Sequence, residues 1–407
     1  MKNISNDPNV SQMVEEQARG YPYSFLPQKE PDLNLPEDWQ PLLEIAKSLP
    51  YLVGNEDLYT LITKISEPAV NSLLPTQYSQ AKFVLGLLSQ AYVWQPVYQD
   101  QDDGAPRTTL PAKLARPLVQ ISALLNEPSI FNYADYALRN WRKKDASLPI
   151  YVDNLETLLT FSGTDSEIAF IVVHVAYEAV AGEAIRISEQ VLDAAESGQV
   201  SELTKQLGLM ADVLEKLHKT FIQVRDIVSP DVFRYKIRMF LKGWKNLVPI
   251  VYEDTLVDAA NLRGETGSES SVIPYFDELL GTFSDDWRTR SGLKDYLPAD
   301  IQAMIDEYLD FRNYMPAMDR QRLRELAART QIRETVLAHR TDTALIEAYN
   351  RCLQATVSMR LAHAGSVGPY IGTPEENRDY TAYGTGGADY RIYLNGLKAI
   401  NESAQIT

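Results

Sequence analysis

Apolar residues recur along this chain at steps of three and four, the period of a helix with one buried face. In the first third the pattern predicts short helices over Leu42 to Leu49, Leu58 to Ile65, Ala81 to Trp94 and Ala112 to Leu125, with a polar loop from Gln99 to Thr108. Thr164-Asp165-Ser166-Glu167 has the form of a capping box and opens a helix that can run to Gly198. Leu203, Leu207, Met210, Leu214, Leu217, Phe221 and Val224 then mark one long bundle helix. Ser229-Pro230-Asp231 caps a helix expected to end at Gly243, and others are expected over Tyr275 to Leu280, Ile301 to Tyr314 and Arg320 to Ala338. The next helix carries Leu345, Tyr349, Cys352, Thr356, Met359 and His363 on one face, and a last helix follows a loop from Gly372 to Asp389. Runs of period two rich in β-branched residues are few, so the expected fold class is all-α. Residues up to about Leu35, rich in Pro, Asn and Asp, read as a surface arm. The mixed stretch from Lys144 to Leu158 is the expected connection between residues 1–150, an arm and small helical domain, and residues 151–407, a large helical domain with a Gly-rich loop at 372–389.

Composition narrows the function. The 407 residues are 45% hydrophobic and 23% charged, as in ordinary globular proteins, and the formal net charge is -16. That balance argues against nucleic acid or an anionic membrane as partner, since both need a basic face. The short basic run Arg142-Lys143-Lys144 reads as a solvated helix end. A single cysteine, Cys352, excludes an intramolecular disulfide, fits a reducing compartment, and by its place in the stripe reads as a packed thiol. Met1 to Gly20 is polar and acidic, unlike a signal peptide, and the apolar run Ile168 to Val180 is interrupted by His174 and Glu178 and too short to span a bilayer. A cytoplasmic protein is expected.

With four histidines, each can be weighed. His339 and His218 lie near helix ends or beside the bundle stripe and read as structural or surface residues. His174 shares a helical face with Phe170 and Tyr177, and His363 closes an otherwise apolar stripe, so both imidazoles are aimed into the interior. A buried neutral imidazole needs a partner for its acceptor nitrogen, which a backbone group or a metal can supply. No HExxH, paired CxxC or carboxylate cluster appears, which disfavours a zinc or di-iron site. Gly384-Thr385-Gly386-Gly387 lacks the preceding strand and following lysine of a phosphate loop and reads as a mobile lid, and no GxSxG elbow is present.

Several ordered segments together resemble the indoleamine 2,3-dioxygenase family. They are Tyr133-Ala134-Asp135 through Asn140-Trp141-Arg142-Lys143-Lys144-Asp145, Pro230-Asp231-Val232-Phe233 through Arg238 to Trp244, Tyr314-Met315-Pro316, Ser358-Met359-Arg360-Leu361-Ala362-His363, and the Gly384 to Gly387 run. The resemblance extends from about Tyr21 to the last helix. It implies an all-helical protein with haem b between a small N-terminal and a large C-terminal domain. It further implies His363 as the proximal iron ligand and Arg360 near a haem propionate. Phe233 and Arg238 would be the substrate aromatic and the carboxylate-binding arginine, Thr385 the lid threonine, and Phe170, Tyr133 and Thr266 parts of the indole pocket. The implied reaction inserts both atoms of O2 across the C2=C3 bond of an indole, L-tryptophan giving N-formylkynurenine.

Three positions depart from the family pattern. His174 stands where the family has a small distal residue and resembles the distal histidine of tryptophan 2,3-dioxygenases, in a catalytic role. Within Gly264-Glu265-Thr266-Gly267-Ser268-Glu269-Ser270-Ser271, Glu265 replaces a pocket glycine, and Asp319 replaces a histidine. These leave open a haem-dependent monooxygenase or peroxygenase acting on another indole, a non-catalytic haem sensor in which His174 ligates the iron, or a helical scaffold.

Overall fold

The computed structural model describes residues 25–27, 29–100, 103–282, 299–371, 384–387 and 389–407. Among these the regular structure is helical, apart from two pairs of two-residue strands. Thr109–Leu110 runs parallel to Val251–Tyr252, and Arg142–Lys143 runs antiparallel to Leu155–Glu156. The all-α class holds. Arg142 and Lys143, expected to belong to a helix end, instead form one of these strands, in which Arg142 bonds Glu156, its cross-strand partner.

The first helices are Gln40–Asn55, Leu58–Lys64, Tyr78–Gln99 and Ala112–Leu125, each one of those expected. Tyr78–Gln99 is apolar on nearly every side and is enclosed by its neighbours. In its midst lies Lys82, fully buried, whose Nζ bonds Asp135 at 2.6 Å, Glu127 at 3.3 Å and the Ile130 carbonyl at 3.2 Å. Arg139 closes the cluster, 2.7 Å from Asp135 and also on Glu127. Burial alone would raise the Glu127 pKa, but Arg139 and Lys82 outweigh it and hold it at about 2. The cluster pins a wide π-type turn, Ala134–Leu138, immediately after Tyr133.

The helix Asp165–Glu196 is longer than its apolar run suggests. By length and composition it could cross a bilayer, yet more than half of its most apolar window is buried inside the fold. The capping box is half formed. Thr164 accepts from the Glu167 amide at 3.3 Å, but the Glu167 carboxylate turns to the amides of Phe161 and Ser162, at 2.7 and 2.6 Å, and tethers the incoming loop. Gly198, at φ +67°, makes the left-handed turn into Val200–Phe221, whose apolar stripe packs against the preceding helix. That helix stops at Phe221, and Val224 begins a separate turn.

Two expected helices are broken. Pro230 to Leu241 comprises a short α turn, a wider π-type turn over Phe233–Ile237, and Arg238–Leu241. It ends before Gly243, where the chain crosses residue 264 so closely that a Cβ would stand 2.1 Å from the Gly264 nitrogen. The Arg320 to Ala338 segment is two helices, Ala317–Arg329 and Ile332–Ala338. Thr330 between them is extended at ψ 135°, and its hydroxyl donates to the Leu279 carbonyl at 2.8 Å. Val272–Leu279, Ala299–Phe311, Thr343–Ile371 and Tyr390–Ser403 complete the set. Thr343–Ile371 packs between Val200–Phe221 and Tyr390–Ser403. Its stripe from Leu345 to Met359 is buried, and the Cys352 thiol donates to the Leu207 carbonyl at 3.2 Å. The expected N-terminal arm up to residue 24, and residues 372–383 and 388 of the expected lid, lie outside the described residues.

Breaking a buried charge cluster strands its remaining charges, at a cost of about 3–5 kcal/mol. Asp135→Ala should therefore lower the thermal melting temperature by several degrees, followed by far-UV circular dichroism. Glu44→Ala, which removes the exposed partner of Lys47, should leave it unchanged.

Candidate active site

One cavity receives side chains from most of these elements. Phe170, His174 and Tyr177 enter from Asp165–Glu196, and Met359, Arg360 and His363 from Thr343–Ile371. Tyr133 enters from the turn held by the Lys82 cluster. Phe233 and Arg238 come from the two ends of the π-type turn, and the segment 265–268 lies across the cavity with Thr385 and Gly386 over it. All nine residues singled out in the sequence thus line a single space: His174, Phe233, Arg238, Tyr133, Phe170, Thr385, Thr266, Arg360 and His363.

The walls are aromatic. The Phe170 ring lies 4.5 Å from His174 and 4.8 Å from Phe233, and Tyr133 meets His174 edge-on at 5.9 Å. Phe221 stands between the histidines, 6.2 Å from His174 and 5.8 Å from His363. Its place at the end of an apolar stripe disguised it as core. Tyr308, Phe311 and Tyr393, which also line the cavity, carry no motif that separates them from core.

Burial lowers the pKa of His174, and pushes His363 down to about 4 with a further contribution from His174. Both imidazoles are neutral at physiological pH. The Nδ1 of His174 is 2.7 Å from the Phe170 carbonyl. A carbonyl only accepts, so Nδ1 carries the proton and Nε2 keeps a lone pair. His363 has no hydrogen-bond partner among the described residues, and a Cβ on Gly267 would lie 3.9 Å from its Cε1. Arg360 is buried and clamped by Asp277, at 3.1 and 2.6 Å, and by Asn401 at 2.6 Å, leaving Nε without a partner. Arg238 is buried in the cavity wall.

The surrounding polar residues fix the frame. Tyr133 donates its phenol to Glu178 at 2.9 Å and its amide to Glu269 at 2.8 Å, and Ser270 also donates to Glu178, at 2.7 Å. Asp319 accepts from Ser271 at 3.0 Å. Burial raises Glu178 to about 7 against the hydrogen bonds from Ser270 and Tyr133, with Asp319 adding to the rise. Burial likewise lifts Asp319 to about 7. Glu265 is pushed up to about 8 by burial alone. The Thr385 hydroxyl donates to the Glu265 carbonyl oxygen at 2.5 Å, and Arg263 bonds the Gly386 carbonyl at 3.0 Å. A Cβ at Gly386 would stand 2.6 Å from the Phe311 ring, so the 384–387 segment can lie this close only with glycine there. Among the described residues no cluster of His, Cys, Asp and Glu could hold a metal ion by itself.

Residues 20–396 match the family model described as indoleamine 2,3-dioxygenase. The chain is 30% identical to indoleamine 2,3-dioxygenase 1 of Rattus norvegicus over 92% of its own length and 91% of that protein. It is 27% identical to a 6-hydroxytryptophan 2,3-dioxygenase of Fusarium equiseti, over 92% and 87% of the two chains. A myoglobin of Haliotis diversicolor is 25% identical, over 91% and 93%. The chain belongs to the indoleamine 2,3-dioxygenase family of enzymes.

The raised Glu265 carboxyl makes stability depend on pH. Below about 4.5, its ordinary value, folded and unfolded chains both hold the proton; from there to about 8 only the folded chain does, so stability falls as pH rises and levels off above about 8. Glu265→Gln cannot ionise. Its stability relative to the unsubstituted protein should rise by up to about 1.4 kcal/mol per pH unit across that window. Urea denaturation at pH 4.5 and pH 8 measures the change, and an equal difference at both pH values would contradict the assignment.

Proposed function

We propose that, as a member of the indoleamine 2,3-dioxygenase family, the protein is a haem-dependent dioxygenase. It inserts both atoms of O2 across the C2=C3 bond of L-tryptophan or a related indole, giving a product of the N-formylkynurenine type. The observation that carries this reading is the pair of neutral imidazoles, His363 without a hydrogen-bond partner among the described residues and His174 with a lone pair, in an aromatic cavity that also has Arg238 in its wall.

The residues fit a haem. A neutral imidazole with no hydrogen-bond partner among the described residues, in an apolar cavity, suits an iron ligand, and Arg360 Nε, one turn away, would offer a spare cationic donor to a propionate. When bound, the haem supplies the iron that activates dioxygen toward the electron-rich indole double bond. His363 would hold that iron. His174 Nε2 accepts the indole N–H, while Phe170, Tyr133 and Phe233 hold the ring and exclude water. Arg238 pairs with the substrate carboxylate, for which a planar guanidinium is suited, and Thr266 and Thr385 contact the substrate from the 265–268 segment and the residues over it. In this reading the haem lies between a small domain, residues 1–150, which supplies Tyr133, and a large one, residues 151–407, and the enzyme works in the cytoplasm. The similarity to a myoglobin motivates a second reading, a haem protein without turnover.

Incubating the purified, haem-loaded protein with L-tryptophan, air and a reductant tests the choice. The dioxygenase reading expects an N-formylkynurenine-type product by mass spectrometry. A stable oxygenated spectrum with no product would favour the second reading, and a protein that takes up no haem would overturn both. His363→Ala should lose stoichiometric haem, read from the visible spectrum, while its far-UV circular dichroism stays near that of the unsubstituted protein.

Arg238→Ala should raise KM for L-tryptophan by roughly ten- to a hundredfold, the worth of a charge-assisted pair. The effect on indole itself should be far smaller. Equal losses in steady-state kinetics for the two substrates would remove Arg238 from the carboxylate.

A further inference from the structure

The dioxygenase reading gives a task to His363, His174, Arg238 and Thr385, but none to Glu265, although its side chain faces the same cavity. Glu265 is 4% exposed and, among the described residues, its carboxyl makes no ion pair and no hydrogen bond. Its backbone is fixed all the same. The Thr385 hydroxyl bonds its carbonyl, and the neighbouring Gly264 is locked against Gly243. The groups that feel its charge are Tyr136 and Glu269. The Tyr136 ring lies 6.0 Å from Phe170, which in turn lies 4.5 Å from His174. Glu265 thus lines the cavity with its charge directed toward the Tyr136 ring that backs Phe170, the side on which an indole held by Phe170 would place its ring.

A carboxyl in such surroundings keeps its proton at neutral pH and offers one donor and one acceptor. A plain indole ring would cover it and leave both unanswered, whereas a ring hydroxyl can accept from the acid O–H and donate to its carbonyl oxygen. A site built to bond a hydroxyl discriminates against the analogue that lacks one, because the analogue strands the site's own polar group. We propose that Glu265 reads a hydroxyl on the benzo ring of the substrate, so that the enzyme selects a ring-hydroxylated tryptophan over tryptophan itself. This rests on the dioxygenase reading and narrows its substrate class.

Calorimetric titration of the haem-loaded protein with L-tryptophan, 5-hydroxy-L-tryptophan, 6-hydroxy-L-tryptophan and indole-3-propionate tests it without relying on turnover. At least one hydroxytryptophan should bind about tenfold or more tightly than tryptophan. Glu265→Leu, similar in size but unable to hydrogen-bond, should abolish that preference, while Glu265→Gln should retain part of it. Haem occupancy and far-UV circular dichroism check that each variant is folded, and either variant alone decides the matter. Equal binding of tryptophan and both hydroxytryptophans to the unsubstituted protein would overturn the proposal, as would a preference that survives in Glu265→Leu or is wholly lost in Glu265→Gln. Loss in Glu265→Gln of a preference for tryptophan over indole-3-propionate would also overturn it, by placing Glu265 on the substrate ammonium. Failure of the unsubstituted protein to bind any indole would overturn the dioxygenase reading itself, a result distinct from binding without discrimination.

Discussion

Desolvation of two imidazoles is the constraint on which the site depends. An exposed histidine titrates near neutrality, whereas a metal ligand or hydrogen-bond acceptor must keep its lone pair. Aromatic walls shared by His174 and His363 remove water from both, and His174 further disfavours a proton on His363. Phe221 stands edge-on to both rings, although it belongs to a helix whose remaining stripe is ordinary core. The hydrogen bond from His174 Nδ1 to its own helix then fixes which nitrogen is free.

The frame around the imidazoles is polar, buried and closely tied. Tyr133 is held from three sides, by Glu178 at its hydroxyl, by Glu269 at its amide, and by the Lys82 cluster through the turn that follows it. Arg360 is held by Asp277 and Asn401, which joins the His363 helix to Val272–Leu279 and Tyr390–Ser403. Such clusters contribute little net stability compared with apolar packing of the same volume, but they permit few alternative arrangements. The acids Glu178, Asp319 and Glu265 retain protons near neutrality for the same reason that the histidines lack them: burial disfavours the charged form in each case.

Much of this was legible in the sequence, and what was not has a common physical origin. Helices with a strong apolar period were found within a few residues of their ends, and the stripe from Leu345 to His363 correctly aimed that imidazole inward. The breaks were invisible because distant contacts decide them. Thr330 leaves the helix for the Leu279 carbonyl, and the chain stops short of Gly243 because residue 264 crosses there. Glu167 looked like half of a capping box, but three-dimensional proximity offered it better partners at Phe161 and Ser162. The nine residues placed by motif and resemblance do share one cavity, whereas Phe221 and Tyr308 carry no local signal that separates them from core. Glu265 was legible only as an acid where a glycine was expected; that it is buried without a partner required the fold.

In the proposed reaction this cavity directs both atoms of one dioxygen molecule into an indole. Turnover under a mixture of 16O2 and 18O2, with mass spectrometry of the product before the formyl oxygen can exchange with water, tests it most directly. The expected product carries either two heavy atoms or none. Product in which single labelling predominates would contradict it and assign the oxygens to separate sources.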